Sequence, residues 1–253
     1  MPDISLCFAE FVLAAATDTL ADEPAAREHA DAVEFRLDLA ADPLDQLAAY
    51  DGELPLIATN RAAWEGGEAT DETDRLETLA TALEHDAVAA VDLELGVLTG
   101  AADTGGVDTD GGTDTTAADR AREIRASARD RGQTVIASIH DFAATPPVAE
   151  LTERLRLGGE EGDIAKLATT VTDRGDALDL LTATHRATAA GRRVATMGMG
   201  AAGQHTRAVA PMYGSKIGYA PVDAAAATAP GQYPLATLRE LVDGLTTPAN
   251  NDV

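Results

Sequence analysis

Two side chains in this sequence could act together on a carbonyl compound: Lys166 and His140. The chain has 17 arginines but only two lysines, Lys166 and Lys216. Lys166 lies inside Ile164-Ala-Lys-Leu-Ala168, a short apolar run that reads as a buried strand. Burial penalises an ammonium, so an amine held there is neutral part of the time and can attack a carbonyl to form a Schiff base. The alternative is a strand-end lysine whose ammonium reaches water or an acidic partner. His140 ends another apolar strand, whereas His29, His85 and His185 fall in helical patterns and His205 in a polar loop. A nucleophilic amine beside a proton-relaying imidazole suits carbonyl chemistry with abstraction of the adjacent C–H proton.

The elements that would position these groups follow from hydrophobic periodicity. Strands are expected at Phe11–Ala14, Ala32–Asp38, Leu54–Thr59, Val88–Glu94, Thr134–Ile139, Asp163–Ala168, Arg193–Met197 and Ser215–Tyr219. Between them, helical patterns cover Asp18–Ala30, Pro43–Tyr50, Asp71–Glu84, Ala117–Arg131, Pro147–Leu157 and Asp173–Ala190, with a last one at Pro234–Leu245. Eight strands alternating with helices predict a single-domain (β/α)8 TIM barrel spanning residues 1–253. The stretch 99–116 is rich in Gly, Thr and Asp and is expected to be an acidic surface loop. In such a barrel functional residues sit at the C-terminal ends of strands. Glu34, Arg36, Arg61, Asp92, Glu94, His140 and Lys166 all fall there, and Glu34 and Arg36, two apart, share a face. The bland reading of that last pair is a buried ion pair filling the barrel.

Composition narrows the function classes. The net charge is −24, with 43 acids against 19 bases, so the basic footprint of a nucleic-acid binder is missing. No run is long and apolar enough to read as a membrane span, and no signal-peptide pattern is visible. The single cysteine, Cys7, excludes an internal disulfide and is expected to be a small buried hydrophobe; it fits a cytoplasmic location. Scarce lysine and abundant aspartate fit a protein adapted to molar salt, where the Debye length shrinks to ~3 Å and acid–acid repulsion is screened.

Six motifs in register then carry a resemblance. Val33-Glu-Phe-Arg-Leu-Asp38, Arg61 followed by Glu65-Gly-Gly67, Ser138-Ile-His-Asp-Phe142, Ala165-Lys166, Met197-Gly-Met199 with Arg207, and Ala229-Pro-Gly-Gln232 together resemble type I 3-dehydroquinate dehydratase of the shikimate pathway, in a form expected of a halophilic archaeon. The resemblance implies dehydration of 3-dehydroquinate to 3-dehydroshikimate with neither metal nor cofactor, through an imine on Lys166. His140 would move the protons and Glu65 would orient it. Arg207 would pair with the substrate carboxylate. Glu34, Arg36, Arg61, Thr228 and Gln232 would hold the rest of the substrate, and Met197 and Met199 would wall the site. Thr228 stands where the family usually has serine, and Ala14-Ala-Ala16 lacks the serine often found at the end of strand one. The resemblance also implies a homodimer. Two other readings share part of this pattern: another Schiff-base barrel of the class I aldolase kind, and a non-catalytic binding protein on the same fold.

Overall fold

Small and branched apolar residues form the eight strands: β1 (Val12–Thr17), β2 (Ala32–Arg36), β3 (Leu56–Thr59), β4 (Val88–Glu94), β5 (Thr134–Asp141), β6 (Ile164–Thr170), β7 (Val194–Met199) and β8 (Ile217–Pro221). The computed structural model describes residues 6–101, 115–222 and 231–246. Most of the expected 99–116 loop, and Thr228, lie outside them. Each strand pairs in parallel with the next, and β1 also pairs with β8, Val12 opposite Ile217. β7 meets β8 through a bridge between Val194 and Ser215, where the Lys216 N–H donates to the Val194 carbonyl at 2.7 Å. The result is a (β/α)8 barrel. Its strands are buried almost throughout, because the barrel interior covers one face and helices the other.

The helices are α1 (Glu23–Ala26), α2 (Pro43–Ala48), α3 (Glu72–Ala82), α4 (Leu95–Thr99), α5 (Thr115–Asp130), α6 (Val148–Glu161), α7 (Arg174–Ala189), α8 (Thr206–Val209) and α9 (Leu235–Thr246). Two starts are fixed by side-chain caps. Asp71 accepts from the Asp74 N–H at the head of α3, and Asp173 accepts from Gly175 and Asp176 N–H groups at the head of α7.

Alternation decides which residues face inward. Ala14, Ala32, Ile57, Ala90, Ile136, Ile164, Ala195 and Ile217 form one apolar cluster inside the barrel, while Val33, Phe35, Val91, Leu93, Ala137 and Leu167 pack outward against helices. Four alanines and four isoleucines share that interior plug, and each buried isoleucine contributes about 2 kcal/mol. One inward step further along the same strands the apolar residues give way to Glu34, Thr59, Asp92, Ser138 and Lys166, with Met197 the apolar member from β7. The fold therefore stacks a polar layer on an apolar floor.

Several expectations are corrected. The first helical stretch contracts to a 3-10 turn at Leu20–Asp22 followed by α1. β5 runs through His140 to Asp141, β6 extends to Thr170, and β7 and β8 each run beyond the expected end, to Met199 and Pro221. The short helices α4 and α8 were not expected. Cys7 is exposed rather than buried in a strand. Among the described residues no helix is long and apolar enough to cross a membrane.

Candidate active site

β6 carries Lys166 inward at mid-strand, where it is 4% exposed. Its Nζ lies 2.9 Å from Asp92 Oδ2 on β4 and 3.7 Å from Glu34 Oε1 on β2. It also sits 4.4 Å from the centroid of the Tyr219 ring on β8. The linear sequence predicts an amine in apolar surroundings. Across the barrel its neighbours are acids and an aromatic face, which is what an ammonium needs where water is scarce. Lys166 is thus buried, as its apolar run implies, and it also has the acidic partner of the alternative reading.

Asp92 is the hub of the polar layer. Its Oδ1 accepts from Ser138 Oγ at 2.6 Å and lies 2.7 Å from Arg61 Nη2. Burial opposes its ionisation, but Arg61 and Lys166 outweigh burial and hold its carboxyl well below the usual range. Arg61 follows β3 and donates to Glu94 Oε1 at 2.9 Å and to Ser138 Oγ at 2.6 Å. Behind it, fully buried Arg75 on α3 donates to Glu94 Oε2 at 2.8 Å and to the Asn60 carbonyl at 3.0 Å, and pairs with Glu72 at the surface. Charges alternate from Glu72 through Arg75, Glu94, Arg61 and Asp92 to Lys166. Such alternation is what makes buried ions tolerable, since removing either partner strands the other.

His140 lies on β5 two residues beyond Ser138, whose Cα is the register partner of Lys166. The imidazole is therefore one inward step nearer the C-terminal rim than the amine. Its Nδ1 is 2.5 Å from Glu65 Oε2, which leaves Nε2 available to a bound molecule. Glu65 ends a 3-10 turn, Ala63–Glu65, folded back by the two glycines after it. Gly66 has φ +79°, and a Cβ there would run into the Phe142 ring; a Cβ on Gly67 would come within 2.1 Å of the Arg61 carbonyl. Phe142 in turn stacks on His140, ring centroids 6.0 Å apart and planes within 13°. Burial pushes the Glu65 carboxyl up to about 8, against Arg61, and the same burial holds His140 well below the usual histidine range.

The sequence-predicted residues converge on one cavity of about 80 Å³ at the C-terminal end of the strands. Glu34 and Arg36 reach it from β2, Met197 and Met199 from β7, and Gln232 from the segment before α9. Glu34 and Arg36 do not form the pair that the bland reading requires. Arg36 holds Asp38 through Nε and Nη2 at 2.9 and 2.7 Å, and Glu34 accepts from Thr59 Oγ1 at 3.0 Å. Arg207 enters from α8. It is buried, and among the described residues no carboxylate pairs with it and its Nε has no hydrogen-bond partner. Burial alone brings its guanidinium down to about 10. Asp92, and Tyr219 in the cavity wall, are neighbours of Lys166 to which sequence reasoning assigned no role. Among the described residues no group of three His, Cys, Asp or Glu side chains is placed to hold a metal ion.

Comparison with known proteins places this geometry. The model of the family described as type I 3-dehydroquinase matches residues 8–247. The chain is 54% identical over 242 residues to a 3-dehydroquinate dehydratase of Haloarcula marismortui, covering 96% of this chain and 99% of that one. It is 52% identical over 238 residues to one of Halobacterium salinarum, covering 94% and 99%. Among solved structures, the 3-dehydroquinate dehydratase of Geobacillus kaustophilus superposes with a TM-score of 0.78 at 24% identity, covering 95% of this chain and 93% of that one. That likeness bears on the fold.

Proposed function

The chain belongs to the type I 3-dehydroquinase family, and on that premise we propose that it removes water from 3-dehydroquinate to give 3-dehydroshikimate through an imine on Lys166, a step of the shikimate pathway. The observation that carries this reading is one cavity holding a buried amine, an imidazole one step above it, and a buried guanidinium whose Nε has no partner among the described residues.

The chemistry follows from the positions. The substrate carboxylate pairs with Arg207, whose planar fork suits it and which has no carboxylate partner among the described residues. Lys166 releases its ammonium proton to solvent and attacks the ring ketone. The carbinolamine takes up one proton through His140 and loses water to give a protonated imine, with Asp92 as counter-ion. That iminium is an electron sink, so the neighbouring C–H becomes acidic. His140 Nε2 takes the proton while Glu65 holds Nδ1. The electron pair moves into an enamine, then expels the β-hydroxyl as His140 returns the proton. Hydrolysis of the imine consumes one water, frees Lys166 and releases the unsaturated ketone, so the net change is the loss of one water. Glu34, Arg36 and Gln232 line the walls where ring hydroxyls would lie, and Met197 and Met199 exclude water beside the imine.

The test is to mix the protein with 3-dehydroquinate and sodium borohydride in high salt and map the product by mass spectrometry. A reduced adduct on the peptide holding Lys166 is expected, and Lys166→Ala should lose both adduct and turnover while remaining folded. Folded protein that yields no adduct, or a turning-over Lys166→Ala variant, would overturn the imine mechanism.

A further inference from the structure

Tyr219 is an aromatic residue in a buried strand, which by itself reads as core. Its place says otherwise. β8 turns it inward, opposite Ala14 on β1, and its ring forms part of the cavity wall. The ring face lies against Lys166 Nζ. The lysine thus uses the π-surface and leaves the hydroxyl unused. Although the residue is only 4% exposed, its Oη has no hydrogen-bond partner among the described residues. A buried hydroxyl without a partner costs folding free energy, and phenylalanine at this position would pack the same ring without that cost. Orphaned polar atoms of this kind are explained when a ligand supplies the missing partner.

The position of the ring limits what that ligand atom is. A carbonyl attacked by Lys166 must bring its carbon to within about 3–3.5 Å of Nζ. Nζ lies 4.4 Å from the ring centroid, so the oxygen of a carbonyl held at that distance from Nζ comes within reach of the hydroxyl at the end of the same ring. Asp92 and Glu34, the other near neighbours of the amine, are acids that would repel a developing oxyanion. Burial, with Glu34 and Asp92 close by, holds the phenol well above the usual tyrosine range, so it remains a hydrogen-bond donor at working pH.

We propose that Tyr219 is a catalytic residue whose hydroxyl donates a hydrogen bond to the oxygen of the ketone that Lys166 attacks. This rests on the reading of Lys166 as the imine-forming amine. In the step concerned, the Nζ lone pair forms the C–N bond as the C=O π pair moves onto oxygen. The proton lost by nitrogen reaches that oxygen through His140, giving the carbinolamine. Tyr219 keeps its own proton throughout. It stabilises the oxygen while it carries charge, and the same contact assists the reverse step in imine hydrolysis.

Tyr219→Phe tests this, because it removes one oxygen and keeps the ring under the amine. The readouts are thermal stability and the borohydride trapping of the 3-dehydroquinate imine, where the amplitude counts competent sites and the rate reads carbonyl attack. The expected result is an unchanged or higher Tm, an unchanged amplitude and a trapping rate per site lower by about 100-fold. A wild-type trapping rate overturns the proposal, including the case in which kcat alone falls, since the hydroxyl would then act after imine formation. A lower Tm or loss of fold also overturns it, because the hydroxyl would then be structural. If the unsubstituted protein gives no adduct, the imine reading of Lys166 fails instead.

Discussion

Lys166 and Asp92 are 74 residues apart in the chain, yet Nζ and Oδ2 are 2.9 Å apart inside the barrel. The contact spans β6 and β4, skipping the strand between them, and Ser138 on that intervening strand donates its hydroxyl to the other oxygen of the same carboxylate. The amine is thus presented to the cavity from an anionic socket. An iminium at the same nitrogen would inherit that socket.

Replacement of Asp92 by asparagine keeps the shape and removes the charge. Arg61 and Lys166 then share a buried layer with one anion fewer, and the iminium loses its nearest counter-ion. We expect kcat to fall about 100-fold, the scale set by loss of one preorganised electrostatic contact. Unfolding should become easier by roughly 3 kcal/mol, as when one partner of a buried ion pair is removed. Steady-state kinetics and denaturant titration of Asp92→Asn check both. A kcat within twofold of the parent would remove Asp92 from the chemistry.

The His140–Glu65 pair sets the pH dependence. Burial pushes Glu65 up to about 8 and holds His140 low, so below that pH the pair carries one proton too many. With Glu65 protonated, its O–H donates to Nδ1 and the imidazole proton sits on Nε2, which cannot then act as a base. Loss of one proton gives Nδ1–H donating to a carboxylate and frees Nε2. Activity should therefore rise with pH through about 8. Glu65→Gln cannot titrate, so its limb should move below the usual histidine range and its plateau rate should fall by about tenfold as the orienting charge is lost. A limb still near 8 in the variant would belong to another group.

How far the sequence disclosed this site depends on how local each signal is. A lysine in an apolar run and a histidine ending one are visible because alternation and burial are one-dimensional patterns, and strand parity places Glu34, Arg36, His140 and Lys166 on one rim. Asp92 is visible as a strand-end acid, but its partner is fixed by strand stagger across the barrel, which no short window contains. Tyr219 is hidden for a different reason: an aromatic strand residue has the same pattern whether its hydroxyl is used or idle. α8, which carries Arg207, is four residues long and lies in a glycine-containing polar segment too short to show a period. The end of α6 was misplaced because Gly158 and Gly159 look like a stop. Gly158 is instead a close approach to the sheet, where a Cβ would come within 2.8 Å of the Ala165 Cβ.

Arg207 should show a trade between stability and function. Its guanidinium is buried without an anion among the described residues, and burial brings it down to about 10 from the ordinary arginine value. The sign follows: the folded state disfavours the charged form that the unfolded chain carries at neutral pH, so the residue destabilises the empty protein until an anion arrives. Arg207→Met should raise stability by roughly 1–3 kcal/mol. The same change should raise KM for 3-dehydroquinate by about 100-fold, as when one partner of a buried charged contact is truncated. Thermal melts with and without substrate, together with KM, decide it. A less stable variant would mean that Arg207 already has a structural partner.

Salt should stabilise the fold, and the shape of the dependence identifies the cause. Acids outnumber bases 43 to 19. Surface pairs such as Arg120 with Glu77 and Glu123, and Arg156 with Glu153 and Glu160, use up part of that excess. Salt screens those attractions too, but exposed pairs contribute only about 0–1 kcal/mol each. The unpaired acids repel one another over the whole surface, so relief of repulsion wins. The Debye length falls from about 10 Å at 0.1 M to about 3 Å at 1 M, and electrostatic relief is therefore nearly complete by then. We expect Tm in potassium chloride to rise by roughly 10 °C up to about 1 M and then to flatten. A Tm that climbs steadily beyond that point would assign the stabilisation to exclusion of salt from the protein surface. A Tm that falls would mean that the surface pairs outweigh the excess of acids.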